Sequence, residues 1–361
     1  GIALYGGFAG VETRRDERDI AAHPTVIDGQ DESACVYGAD FARLDGFTIT
    51  GGNGPLRLGN QSAWISLFLP LLGSETNTTR MLAVDNSGVS PTLAHCTFTG
   101  NTPGFAVVAN LTEHGNPSSP VITGCDFTGG KGESCAIFNG AQSGLQSKSR
   151  IDGCSFTGNY CGILNIGWEG ECSPIITRCT LASNAIALEE LAALPGICAT
   201  HAENSVFSRN TNTTLSFLGL SSGAQLRPVF VNCDFTENSA TKPIFSAKGG
   251  TVQAEMRNCI VWNNSGPLLA ADSLATLTAS YCSIQNGFAG EGNIAADPLF
   301  VDAASGDFRL QAGSPCIDTG AADNAPAADL AGIPRPQGAG FDMGAMEMLV
   351  STMPDLTGYA R

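Results

Sequence analysis

Positive charge is scarce in this chain: 18 Lys and Arg stand against 34 Asp and Glu, a formal net charge of −16. With no Lys/Arg stripe to neutralise phosphates, nucleic acid is excluded as a partner. Charged residues of either sign make up only 14% of the chain, whereas Gly fills 44 of its 361 positions. That mix suits short strands joined by tight turns and does not support long helices. Long apolar runs are missing too. The most apolar stretch, residues 63–72, is too short to span a bilayer and contains Pro70. No signal peptide is visible. The chain opens at Gly1, without Met, inside what reads as a strand-turn phrase, so a processed or truncated N-terminus is expected. The sequence has no Cys-x-x-Cys pair, Cys/His cluster or Gly-rich phosphate loop. Zinc and nucleotide chemistry therefore have no foothold.

What is present is a repeat. The phrase Cys-x-Phe-x-x-Asn recurs, with variations, from Cys96, Cys125, Cys154, Cys179, Ser205, Cys233, Cys259 and Cys282. Successive copies lie 23 to 29 residues apart and carry only strand and turn signals. That period implies a solenoid. Each copy has an apolar strand, often opened by Pro (Pro91, Pro120, Pro174, Pro228), then Cys-x-Phe, an Asn turn and a second apolar strand. Period-2 spacing turns the Cys and Phe side chains to one face. Two weaker copies precede these, at residues 25–29 and 44–50. The expected fold is all-β: a right-handed parallel β-helix of about ten coils with capped ends. Residues 1–296 would form the helix, with an insertion at about 51–81 whose apolar run, 63–72, would pack as a flap or offer a lip to a partner. Residues 297–361 would form a last coil and a cap.

The thirteen cysteines divide by position. Cys96, Cys125, Cys154, Cys179, Cys233, Cys259 and Cys282 share one slot and would stack as a buried ladder about 4.8 Å per step. Parallel side chains at that spacing are too far apart for unstrained bridges, so free thiols are expected. Cys172 and Cys198, each seven residues before the key slot, are expected in facing loops and are disulfide candidates. Cys135 and Cys161 head matching phrases and form a second pair or a second ladder. Cys35 and Cys316 have no evident partner. The Asn residues at 101, 159, 184, 210, 238 and 264 would stack their amides along the axis and tolerate left-handed backbone at the turn.

The repeat resembles the Phe-x-x-Asn repeats of polymorphic outer-membrane proteins and related bacterial β-helix surface proteins. The opening, residues 5–10 with Glu12, Arg18 and residues 25–29, resembles a broader group of secreted right-handed β-helix proteins. So does the close, residues 297–302, 306–310, 313–318, 329–335 and 341–347. The resemblance implies an extracellular or bacterial cell-surface location. It also implies a group that mixes adhesins, structural surface proteins and polysaccharide lyases or hydrolases.

A lyase of that kind needs a base and a cation to neutralise a uronate carboxylate; a hydrolase needs paired carboxylates. No outward row of this repeat holds adjacent carboxylates. The one mixed patch is Arg178, Glu203 and His201, which are the candidate catalytic residues. Trp168 with Glu169 and Glu171, and Trp262, offer aromatic surface to a sugar. Asp302 and Asp307, with Asp318 and Asp342, are candidate calcium ligands, although no cofactor is required. The reading is therefore a non-catalytic structural, adhesive or glycan-binding surface protein. Its alternative is a carbohydrate-active enzyme of the polysaccharide-lyase type. The expected partners are a polysaccharide or cell-surface glycan, or further copies of the chain.

Overall fold

The structure, a computed structural model, describes residues 1–55, 81–102, 104–113, 115–130, 134–239, 242–271 and 274–349. The apolar run at 63–72 and most of the expected insertion lie outside the described residues. One coil shows the plan: Arg150–Asp152, Ser155–Thr157, Cys161–Trp168 and Glu171–Cys172 are its four strands. Each strand pairs in parallel with its counterpart in the next coil. Repetition builds a parallel β-solenoid with three main stacks. The leading stack and the Cys-Phe stack each hold ten strands, and the long stack, which includes Cys161–Trp168, holds nine. The count is about nine complete turns, against the ten or so expected.

The three inward rows are those of the repeat. Leu44, Leu93, Ile122, Ile151 and Ile176 follow one another in register along the leading stack, all buried. Phe98, Phe127 and Phe156 stack with ring centroids 4.5 and 4.9 Å apart and planes within 3° of parallel. The seven ladder cysteines are buried, and all thirteen cysteines are free. Cys172 and Cys198 are in register, but on short strands that point into the core rather than in loops, and no bond joins them. Cys135 and Cys161 are likewise in register and unbridged, in a second apolar cluster with Phe138 and Leu164 on the other side of the long stack.

Two corners of each coil need left-handed backbone, and neither is where the sequence placed it. The first is the residue before the Cys slot: His95, Gly124, Gly153, Arg178, Asn204, Asn232, Asn258 and Tyr281 all have φ between 46 and 61°. The second is the residue before the Asn, at Gly100, Gly158, Ser183, Arg209, Glu237 and Asn263. The Asn is therefore not the left-handed residue. It turns inward and is buried at 101, 159, 184, 210 and 238. From coil to coil each Oδ1 accepts the preceding Asn N–H, at 3.0 Å for Asn159 to Asn184 and for Asn184 to Asn210. Each Nδ2 also donates to a backbone carbonyl, as Asn184 does to Phe156 O at 3.0 Å.

At the last coil, Ile294 takes the place of a further strand by bonding Cys282 O and Ile284 N, and Phe288 packs against the main core. The chain then runs back along the side of the solenoid. Asn204, Asn232 and Asn258 donate to Ala328 O, Asp342 O and Ala321 O. A buried Arg335–Glu347 ion pair at 2.7 Å ties this returning segment together.

Candidate anion-binding site

The outward positions of the leading stack carry most of the charged groups that cluster. Alternation on the strand Arg43–Asp45 turns Leu44 into the core and leaves Arg43 and Asp45 outside. Asp45 is nonetheless only 2% exposed, because three basic side chains cover it. Arg18 Nη2 donates to its Oδ1 at 2.5 Å, and Arg43 donates to its Oδ2 from Nε at 2.9 Å and Nη2 at 2.6 Å. His95 Nδ1 lies 3.1 Å from Oδ1. Burial alone would raise the carboxyl pKa, but the hydrogen bonds from Arg18, Arg43 and His95 outweigh it and hold Asp45 below the usual carboxylate range.

His95 reaches Asp45 because it occupies the left-handed corner of the following coil. Its ring fills the space a side chain at position 124 would take: a Cβ on Gly124 would lie 2.9 Å from His95 Cδ2. The imidazole stays 53% exposed and Arg43 34% exposed. Nε2 makes no hydrogen bond to a described residue. Tyr5, on the first coil, carries the guanidinium groups of Arg15 and Arg18 over its ring at 5.0 and 5.3 Å. A neighbouring open cleft of about 490 Å³ is lined by Tyr5, Phe8, Glu12, Thr13, Arg14 and Arg15. The result is two arginines and a histidine gathered on one buried aspartate, beside an aromatic-bordered cleft that also carries Glu12. It can hold a carboxylate or sulfate and stack a sugar ring.

The candidate catalytic residues Arg178, His201 and Glu203 lie farther along the same face, and the structure divides them. Arg178 donates from Nε to Asp152 Oδ1 at 2.9 Å; it touches Glu203 only through its backbone N–H, at 3.1 Å from Glu203 O. His201 instead pairs with Glu203 at 2.7 Å. The expected three-residue patch is therefore two separate side-chain pairs, Arg178 with Asp152 and His201 with Glu203. Asp307 pairs with Arg309 at 2.5 Å, and Asp302 accepts the N–H of Ser305 at 3.2 Å. Buried Asp342 accepts N–H groups of Asp318 and Met348. Among the described residues, no group of three or more His, Cys, Asp or Glu side chains is placed to hold a metal ion. Trp168 and Trp262 are partly buried against apolar clusters, and Glu171 is held by Ser173 and Gln146.

Asp45, Arg43 and Arg18 escaped the sequence reading because their coil carries Phe47 where later coils carry Cys. The available signal was Arg-x-Asp at 43–45 and again at 150–152, in the same strand of the coil. Arg18 had none, since a non-repeating loop brings it in.

No family model matches the chain, and no curated protein matches it in sequence. Among solved structures the chain is similar to pectate lyase Pel9A. The identity is 13%, with 85% of this chain and 87% of that one covered, at a TM-score of 0.46. No residue role is carried over from it. Among the described residues, no helix is long and apolar enough to cross a membrane.

Proposed function

We propose that this protein is an extracellular or cell-surface solenoid that binds an acidic polysaccharide on the outer face of its leading stack without cleaving it. The observation that carries the reading is the Asp45 cluster. One buried carboxylate organises Arg18, Arg43 and His95, so two guanidinium groups face a single carboxylate, with Arg43 partly exposed and the imidazole exposed. Fixed guanidinium forks suit carboxylate recognition, because their donors are already oriented. The adjoining Tyr5 and Phe8 supply apolar surface for a pyranose ring.

The Asp45–His95 contact favours a second reading, a polysaccharide lyase. An imidazole whose Nδ1 is held by a buried carboxylate has Nε2 free to accept a proton, as elimination from a uronate requires. One experiment separates the two. Pectate, alginate and chondroitin are each incubated with the protein, with and without calcium. Retention is followed by affinity electrophoresis, and cleavage by the absorbance of unsaturated products. Retardation of at least one polyuronate with no product is expected. Sustained product formation that His95→Ala abolishes would establish the lyase instead, and no retardation by any polyanion would end both readings.

A further inference from the structure

The constellation around Asp45 occurs a second time on the same face. In the register of the leading stack, one outward column runs Arg43, Thr92, Val121, Arg150, and the next runs Asp45, Ala94, Thr123, Asp152. Arg150 and Asp152 thus repeat Arg43 and Asp45 three coils later, in the same columns. The match extends to the corner. In each copy the left-handed residue of the following coil reaches back to the aspartate: His95 Nδ1 to Asp45 Oδ1 at 3.1 Å, and Arg178 Nε to Asp152 Oδ1 at 2.9 Å.

Both clusters hold more cation than anion. Asp152 is shared by Arg178 and the hydroxyl of Thr177, which donates at 2.7 Å. Burial tends to raise the Asp152 pKa, but these bonds lower it overall. Arg150 is exposed and makes no ion pair with a described residue. Between the two clusters the strands present uncharged side chains, Thr92, Val121 and Thr123, with Ala94 fully buried; at the corners the His95 ring lies over Gly124, and Gly153 is exposed. Past the second cluster, His201 and Glu203 pair with each other and add no unpaired cation. Three coils at about 4.8 Å each put the clusters about 14 Å apart.

We infer that these are two stations of one track for a linear polyuronate lying parallel to the solenoid axis. One carboxylate is held at Arg43 and His95 and another, several sugars along, at Arg150 and Arg178. The intervening sugars cross the uncharged strand positions Thr92, Val121 and Thr123. This rests on the glycan-binding reading above and adds to it a direction and a minimum length.

The test is a calorimetric titration with oligogalacturonates of increasing length. A chain that occupies one station gains the second as an intramolecular contact. Affinity is therefore expected to step up by about tenfold or more once the oligomer spans about 14 Å, and to level off beyond that. The double variant Arg150→Ala, Arg178→Gln is expected to remove the step and bring long oligomers down to the affinity of short ones. The Arg178–Asp152 pair is exposed, so its loss costs little stability; a thermal melt of the variant verifies this. A wild-type series without a step, or a step that survives in the double variant, overturns the two-station track while leaving the first station intact. Failure of every oligomer to bind overturns the track and the glycan reading together.

Discussion

At the scale of the residue, the solenoid shows two fates for a buried carboxylate. Asp45 is surrounded by donors and stays charged. Glu190 is not. It continues an interior column in which Asn110, Asn139 and Asn165 pass hydrogen bonds along at 2.9 Å. Thr200 donates to Glu190 Oε1 through its hydroxyl and through its N–H at 3.2 Å, and Oε2 has no partner among the described residues. Burial pushes the Glu190 pKa up to about 7 from an ordinary 4.5. Asp234, buried beneath the returning segment with one 3.2 Å bond from Ala345 N, is likewise pushed up to about 7 by burial. The sign follows from proton counts. Between the ordinary value and 7, the unfolded chain has released these protons and the folded chain still holds them. Stability therefore falls as pH rises through that window and levels off above it. One pKa unit corresponds to about 1.4 kcal/mol, so the shifts amount to roughly 3 kcal/mol for Glu190 and roughly 4 kcal/mol for Asp234. Urea unfolding at about pH 5 and about pH 8 is expected to show the higher midpoint at the lower pH, with the difference reduced in Glu190→Gln. An unchanged difference in that variant would remove Glu190 from the account. Asp45 acts in the opposite sense, and its contribution is lost only as the pH falls below about 4.

At the scale of the element, the Asn ladder is a structural member. Asn184 shows the pattern in full: its Oδ1 accepts from Asn159 N at 3.0 Å and Nδ2 at 3.1 Å, and its Nδ2 donates to Phe156 O at 3.0 Å. Replacing it with Ala leaves a buried amide and a buried carbonyl unpaired, each expensive inside a protein. Asn184→Ala is expected to cost about 2–4 kcal/mol in urea unfolding, whereas Asn263→Ala, one residue before a ladder position at an exposed corner, costs about 1 or less. Equal losses at both positions would show that the ladder adds nothing beyond ordinary turn contacts. The ladder was legible in the sequence because the slot recurs; its geometry was not. A recurrent Asn reads as a left-handed turn residue, and only the coordinates show that the preceding residue, as varied as Gly, Ser, Arg and Glu, takes that conformation. Corner residues vary freely because their side chains point outward. That freedom lets His95 and Arg178 reach back to Asp45 and Asp152 of earlier strands.

At the scale of the whole molecule, the repeat period disclosed the solenoid and its inward rows, since periodic apolar positions report burial directly. The site was far less legible. Arg178, Glu203 and His201 lie on one outer face, but Arg178 pairs with Asp152 while His201 pairs with Glu203. The stronger cluster depends on which coil lies over which, and on a loop from outside the repeat. Local charge reconciles the site with the composition. A chain of net charge −16 repels a polyanion at long range, so binding must come from short-range, fixed cations such as those at Asp45. The most direct test of this claim is a calorimetric titration of polygalacturonate into the wild type and into Arg43→Glu. Measurable binding by the wild type and a loss of at least about tenfold in the variant are predicted, since one reversed charge both removes a guanidinium fork and repels the ligand. Equal affinity in the two proteins would contradict the account, because it would place the glycan, if one binds, somewhere other than the Asp45 cluster.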